Sequence, residues 1–221
     1  MTPGASFDGY LIKRTSTVEQ VADALRARIL SGDLPPGTPL REVSLAESLG
    51  VARNTVREGV RRLEAEGLVV HRIHRGAVVA TLTQDDIREI FDLRRFVESE
   101  ALRRCSDNDA ARLSALVDTM VELVPGHDAA QIVDADMHFH QALVDTLGNS
   151  RLSAFFANTL AELRIVLCLV ETGDASEWVP LHREVCRLLT SGDRQAAVDT
   201  LASHFVETER LLAATVAATE S

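Results

Sequence analysis

No run of about 18 consecutive apolar residues, the length a membrane span requires, occurs anywhere in this chain. No basic stretch followed by an apolar one opens it either, so neither a membrane helix nor an export signal is expected, and the chain reads as cytoplasmic. Cysteine is sparse: Cys105, Cys168 and Cys186 are far apart and odd in number, which argues against a disulfide framework and for reduced core residues. Aromatic residues make up only 4% of the 221 positions, although 46% are hydrophobic, enough for one large core or two modest ones. Internal repeats, low-complexity segments and a His-Glu-x-x-His helix are all lacking, and with the last of these goes the usual mark of a zinc hydrolase.

The net charge of -10 is unevenly spread. Residues 1–83 carry 11 Lys and Arg against 9 Asp and Glu, whereas the remainder has 12 against 24. A polyanion would therefore be met by the N-terminal part alone, the acidic remainder being repelled by it.

Hydrophobic periodicity divides the chain. Residues 1–16 lack pattern and read as a flexible arm. Val18, Val21, Ala22, Leu25 and Ile29 recur at helical spacing, and "SGDLPPGTPL" stops that helix with glycine and prolines. A short helix follows in "REVSLAESLG", with Ser44 as its expected cap and Gly50 at its end, then a third from about Arg53 to Glu66. In "GLVVHRIHRGAVVATLT" β-branched residues flank a His-Arg-Gly tip, which predicts a β-hairpin. Three helices and a hairpin over residues 17–83 make a winged helix-turn-helix. From residue 84 to 221 the period is helical, broken at "CSDND", "VPGHD", "LGNS", "TGDAS" and "TSGD". Six helices are expected, starting near Asp85, Asp109, Ala129, Ser150, Ser176 and Asp193. The fold class is thus mainly α: a winged helix-turn-helix, then an all-α six-helix bundle.

In "SLAESLGVARNTVREGVRRLEAEGLV", Leu45, Leu49, Val56, Val60 and Leu63 form the inward set, and Arg53, Asn54 and Arg57 point away from it. Arginine bonds guanine in bidentate fashion and asparagine bonds adenine when such a helix enters the major groove, and Thr55 is placed for a phosphate or a thymine methyl. The plainer reading is a solvated face on which Arg57, Arg61 and Arg62 pair with Glu58, Glu64 and Glu66.

"DADMHFHQAL" holds two interleaved i,i+4 pairs, Asp134 with His138 and Asp136 with His140. At 100° per residue, Asp136 and His140 share a face with Ile132, Val133, Phe139, Leu143 and Leu147, while Asp134, His138, Gln141 and Asp145 fall on the opposite, wet side. A buried carboxylate and imidazole need compensation, which a divalent cation supplies. His182, in phase with Val185, Cys186 and Leu189, and His204, in phase with Ala197, Leu201 and Leu211, also look inward. Each histidine alone reads as a core residue; the four together read as a metal site. Arg94 lies in phase with Ile87, Ile90, Phe91, Val97, Ala101 and Cys105, and is either paired internally with Glu98 or grips a carboxylate ligand. His71 and His127 read as surface residues.

The stretches "ILSGDLPPGTPLREVSLAESLGV", "RNTVREGVRRLEAEGLV" and "HRG" resemble the GntR family of bacterial transcription regulators. "DMHFHQALVDTLGNSRL", "LHREVCRLLTSGD" and "ASHF" resemble the FCD ligand-binding domain of its FadR-like branch, and six helices suggest the shorter, VanR-like variety. The resemblance implies a homodimeric repressor that releases a palindromic DNA operator when a small organic acid binds. It implies DNA contacts from Arg41, Arg53, Asn54, Thr55, Arg57, His74 and Gly76. It also implies Asp136, His140, His182 and His204 as ligands of zinc, with nickel or manganese as alternatives, and Arg94 as an effector contact. Three departures stand out: Ala52 replaces a usual serine, Asn54 a common threonine, and Gly59 a usual alanine at roughly 1 kcal/mol of helix propensity. Two other readings remain open. One is a metal that only braces the fold or is itself the signal; the other, least supported, is a metal-dependent hydrolase with an accessory DNA-binding domain.

Overall fold

A computed structural model describes residues 16–123, 129–167 and 178–219. Cys168, His127 and the breaks expected at "VPGHD" and "TGDAS" fall largely or wholly outside those residues. Helix α1 (Thr17–Leu30) starts under Ser16, whose hydroxyl accepts from the Glu19 amide at 3.2 Å, and buries Val21, Ala22, Leu25 and Ile29. Helix α2 (Glu42–Leu49) starts earlier than expected: Arg41 is its N-cap and Ser44 lies within the helix. The cap at Ser44 is therefore incorrect, and α2 has no side-chain cap hydrogen bond. Its end is as expected, with Gly50 left-handed at φ 65°. Leu49, expected inward, is 40% exposed, and Ala46 takes the buried position.

Helix α3 (Arg53–Ala65) buries Val56, Gly59, Val60 and Leu63 against α1 and α2. Strands β1 (Val69–Arg72) and β2 (Gly76–Val79) pair antiparallel in register from Val69↔Val79 to Arg72↔Gly76. The connecting Ile73-His74-Arg75 turn needs positive φ at His74 (64°), with Gly76 following at 73°.

Among the described residues six helices follow: α4 (Gln84–Arg104), α5 (Asp107–Leu123), α6 (Ala129–Asp145), α7 (Ser150–Leu167), α8 (Trp178–Thr190) and α9 (Arg194–Thr219). Their starts are set by local chemistry. Thr83 and Asp86 form a reciprocal capping box on α4, Ser106 and Asp109 do the same on α5, and Asp193 accepts from the Ala196 amide on α9. Phe91, Phe139, Phe156 and Phe205 anchor the bundle core. Leu211, expected inward on α9, is 47% exposed, and its neighbour Leu212 is buried instead. At 100° per residue Leu212 is in phase with the buried Leu201, Phe205 and Val216, whereas Leu211 falls at the edge of that face.

The two cores are not independent. Ile165 of α7 is 1% exposed and belongs to the core built by α1, α3 and the hairpin, with Ala161 packed beside it. Gly67, at φ 78°, lies so close to Glu162 of α7 that a Cβ there would force the Glu162 side chain to move. Helix α7 thus has one face in each core.

Candidate functional sites

The N-termini of α2 and α3 meet the hairpin at a groove of about 400 Å³. Arg41, Arg53, Arg57 and Gly76 line it, together with His71 and Arg75, which sequence reasoning left out of the set. His74 is exposed at the hairpin tip, and Asn54 is exposed and Thr55 half-buried on the first turn of α3. Arg53 and Arg57 do not project freely. Glu42 accepts from Arg53 Nε at 2.9 Å and from Nε and Nη2 of Arg57, both at 3.0 Å. Arg57 beside it, with Arg53 adding to the effect against a modest cost of burial, holds the Glu42 carboxyl down at about 2. The ion-paired surface foreseen as the plainer reading exists only in part. Arg61 bonds Glu58 at 2.8 Å, but Arg62 pairs with Glu19, Glu64 with His71 and Glu66 with Arg26.

In the bundle, α6 contributes Asp136 and His140, α8 His182 and α9 His204, all buried at 4%, 0%, 0% and 9% exposure. Donor atoms of Asp136, His140 and His204 lie within 4.8 Å of one another. His182 Nε2 is 3.1 Å from Asp136 Oδ1 and 3.4 Å from His140 Nε2, and His140 Nε2 is 3.6 Å from Asp136 Oδ2. The far nitrogens are engaged elsewhere. His140 Nδ1 contacts Glu98 at 2.6 Å and His182 Nδ1 the Trp178 carbonyl at 2.8 Å. Both partners are acceptors, which assigns the proton to Nδ1 and turns the Nε2 atoms towards Asp136.

Burial lowers the proton affinity of His140 against the pull of Glu98, and takes His204 down to about 3. At His182 burial is outweighed by Asp136 and the Trp178 carbonyl, so its affinity is raised. Burial would raise Asp136, but the surrounding histidines hold it below the usual carboxylate range. This donor set fits a borderline divalent ion: imidazoles with fixed tautomers, one ionised carboxylate, and an Asp136 Oδ1 that is buried without a well-directed hydrogen bond. The separations of 3.1 and 3.4 Å are also near the ~3.0–3.4 Å expected between ligands about 2.1 Å from one ion.

Arg94 is 2% exposed and its Nε donates to Glu98 Oε1 at 2.9 Å, so the internal pair exists. Its guanidinium lies over Phe205 at 4.4 Å and near Phe91 at 5.3 Å, and its Nη2 is buried with no partner. Burial opposes ionisation of Glu98, but His140 and Arg94 overcome it and keep the carboxylate charged. On the wet face of α6, His138 and Asp134 are exposed as expected, and Asp134, 63% exposed, is also ion-paired with Arg164, a buried residue of α7 that sequence reasoning did not single out. A partner on another helix leaves no trace in the local pattern.

A winged helix bearing an arginine-lined groove, joined to a helical bundle with a buried polar centre, defines a DNA-binding transcription regulator. Residues 17–79 match the family of bacterial regulatory proteins named gntR, and residues 89–207 match the FCD domain, so the chain belongs to the GntR family with an FCD domain. These are regulators, not enzymes. The chain is 31% identical over 202 residues to the "Probable D-xylose utilization operon transcriptional repressor" of Paenarthrobacter nicotinovorans, covering 87% of each chain. It is 34% identical over 152 residues to the "Gluconate operon transcriptional repressor" of Bacillus licheniformis, covering 66% of this chain and 62% of that one. A solved GntR transcriptional regulator from Rhodococcus sp. RHA1 superposes with a TM-score of 0.81 at 28% identity, covering 88% of this chain and 96% of the other.

Proposed function

We propose that this regulator is a homodimeric repressor whose two winged helices, residues 17–83, read half-sites of a palindromic operator. Its bundle, residues 84–221, binds a divalent metal, zinc in preference to nickel or manganese, and through it a small organic-acid effector that releases the DNA. Arg53, Asn54, Thr55 and Arg57 enter the major groove, Arg41 supports them, and His74 and Gly76 of the wing meet the minor groove. Asp136, His140, His182 and His204 hold the metal. Arg94 offers its unpaired Nη2 to the effector carboxylate, held in place by Glu98.

The observation that carries the metal half is the buried Asp136 Oδ1 without a hydrogen bond, among three inward imidazoles. A buried anionic oxygen left so is costly, and a cation removes that cost. Two of the relatives named above carry the name of operon repressors, which supports repression, and the gluconate of the second, a sugar acid, supports a carboxylate effector. Effector binding must favour one arrangement of the winged helices by differential affinity, and α7, seated in both cores, supplies a mechanical route. The complete burial of His140 and His182 favours a second reading, in which the metal braces the bundle without meeting an effector.

Metal analysis of the purified protein, combined with a thermal-shift panel of organic acids, tests the proposal. Bound metal is expected, with an acid that raises the melting temperature of the wild type and not of His182→Ala. Equal shifts in both would remove the metal from effector recognition, and a panel without any shift on metal-loaded protein would favour bracing.

A further inference from the structure

Glu42 is the acidic residue in a groove whose other ionisable lining is Arg41, Arg53, Arg57, Arg75 and His71. An anion beside a path for phosphates weakens the attraction on which DNA affinity rests, so its place calls for a compensating task. The hydrogen bonds indicate one. Glu42 is the first residue of α2, where the helix dipole favours a carboxylate. Both its oxygens are used across the gap to α3: Oε1 takes Arg57 Nε, and Oε2 takes Arg57 Nη2 and Arg53 Nε.

The two arginines are thereby given different free edges. Arg57 has spent its side-on fork on Glu42, and its Nη1 lies 3.4 Å from Asn54 Oδ1. Arg53 has given up only Nε, so its two terminal amino groups have no partner among the described residues, and its side chain is 60% exposed against 39% for Arg57. Two parallel amino N–H groups are what O6 and N7 of guanine accept. Holding a flexible side chain in the binding geometry before contact also reduces the rotamer entropy lost on binding.

We infer that Glu42 is a positioning residue for sequence readout: it anchors Arg57 and turns the terminal amino groups of Arg53 towards a guanine edge, giving up phosphate attraction for discrimination between sequences. The inference rests on the reading above, in which α3 enters the major groove. It assigns the guanine contact to Arg53 and a supporting place to Arg57.

The test uses the full-length protein. A duplex enriched from a random pool by the wild type is compared with a scrambled duplex of equal length, at one fixed salt concentration. Glu42→Gln keeps the shape and removes the charge. It should bind the enriched duplex about tenfold more weakly, as loss of a well-placed bidentate contact does. It should bind the scrambled duplex about two- to fivefold more tightly, one repulsive charge having gone. A parallel loss on both duplexes would assign Glu42 to the fold alone, and a parallel gain would make it a simple electrostatic brake; either result overturns the inference, as does an unchanged ratio. Arg53→Ala, assayed beside it, separates the two levels. If Arg53→Ala abolishes discrimination while Glu42→Gln does not, only the role of Glu42 falls. If Arg53→Ala leaves discrimination intact, the placement of α3 falls as well.

Discussion

The groove beside the wing and the cluster in the bundle are both assemblies of charged groups gathered from separate helices, yet they treat water in opposite ways. At the groove, Arg53 and Arg57 keep 60% and 39% of their side-chain surface and share one carboxylate. In the bundle, Arg94, Glu98, His140 and His182 are between 0 and 2% exposed, and they are compensated by one another and by Trp178. Charges left in water cost little to hold and remain available to a partner that brings its own phosphates. Charges removed from water must be matched inside the protein, and in this cluster Asp136 Oδ1 and Arg94 Nη2 are left without a hydrogen bond. The same contrast ranks the consequences of mutation.

Glu98→Ala should have the largest effect. It removes the acceptor of both Arg94 Nε and His140 Nδ1 and leaves a guanidinium buried without a counter-ion, a loss of about 3–5 kcal/mol for a broken buried pair. Replacing Arg94 by Met in the same chain should recover much of that, because the orphaned charge is removed too. Urea unfolding of the single and double variants measures both. A single-variant loss below about 1 kcal/mol would place the cluster in the same class as the surface groove.

Ile165→Ala comes next, at about 2–4 kcal/mol for a fully buried aliphatic truncation. Its interest lies in where the loss is felt. Ile165 belongs in sequence to the bundle but in space to the N-terminal core, so amide exchange should accelerate in α1 and α3. Acceleration confined to α7 would mean that the two regions are less joined than their packing implies.

The distance between what the sequence disclosed and what required the structure follows the same line. Period is local, so the element order, the approximate helix starts and the inward phase of Asp136 and His140 could all be read from neighbours within a few residues. Contacts between elements could not. Nothing local to Glu42 announces arginines 11 and 15 residues away, and nothing at Asp134 announces Arg164. Ser44 carries a good cap side chain, but the helix already starts at Glu42, whose carboxylate is bonded to arginines of α3. Leu49 and Leu211 failed for a related reason: hydrophobicity indicates which residues can be buried, and contacts between elements decide which are.

Gly59→Ala should show how packing changes a propensity argument. In an isolated helix alanine would gain about 1 kcal/mol over glycine. In α3, however, a Cβ at this position would lie 2.9 Å from Val21 Cγ1 and 3.4 Å from the Ala22 backbone nitrogen. Valine is stiff at χ1 and cannot easily turn aside, so overpacking of about 1–3 kcal/mol should exceed the gain and leave a net loss of about 1 kcal/mol. Chemical denaturation gives the sign directly. A stabilised Gly59→Ala would show that α1 shifts freely over α3, and combining it with Val21→Ala should cost less than the sum of the two singles.

The smallest effect belongs to Arg61 and Glu58, an i,i+3 pair on α3 at 2.8 Å, with side chains 62% and 53% exposed. Short distance alone would suggest a strong bond, yet both groups are already solvated and both must give up rotamer freedom to meet. A double-mutant cycle to alanine should return a coupling below about 0.5 kcal/mol that fades further as salt is raised. The comparison with Glu98 is close in length and opposite in setting, since Arg94 and Glu98 meet at 2.9 Å with 2% and 0% exposure. If Arg61 and Glu58 coupled as strongly as that buried pair, distance and not desolvation would set the worth of charges in this protein, and the contrast between its two sites would lose its physical basis.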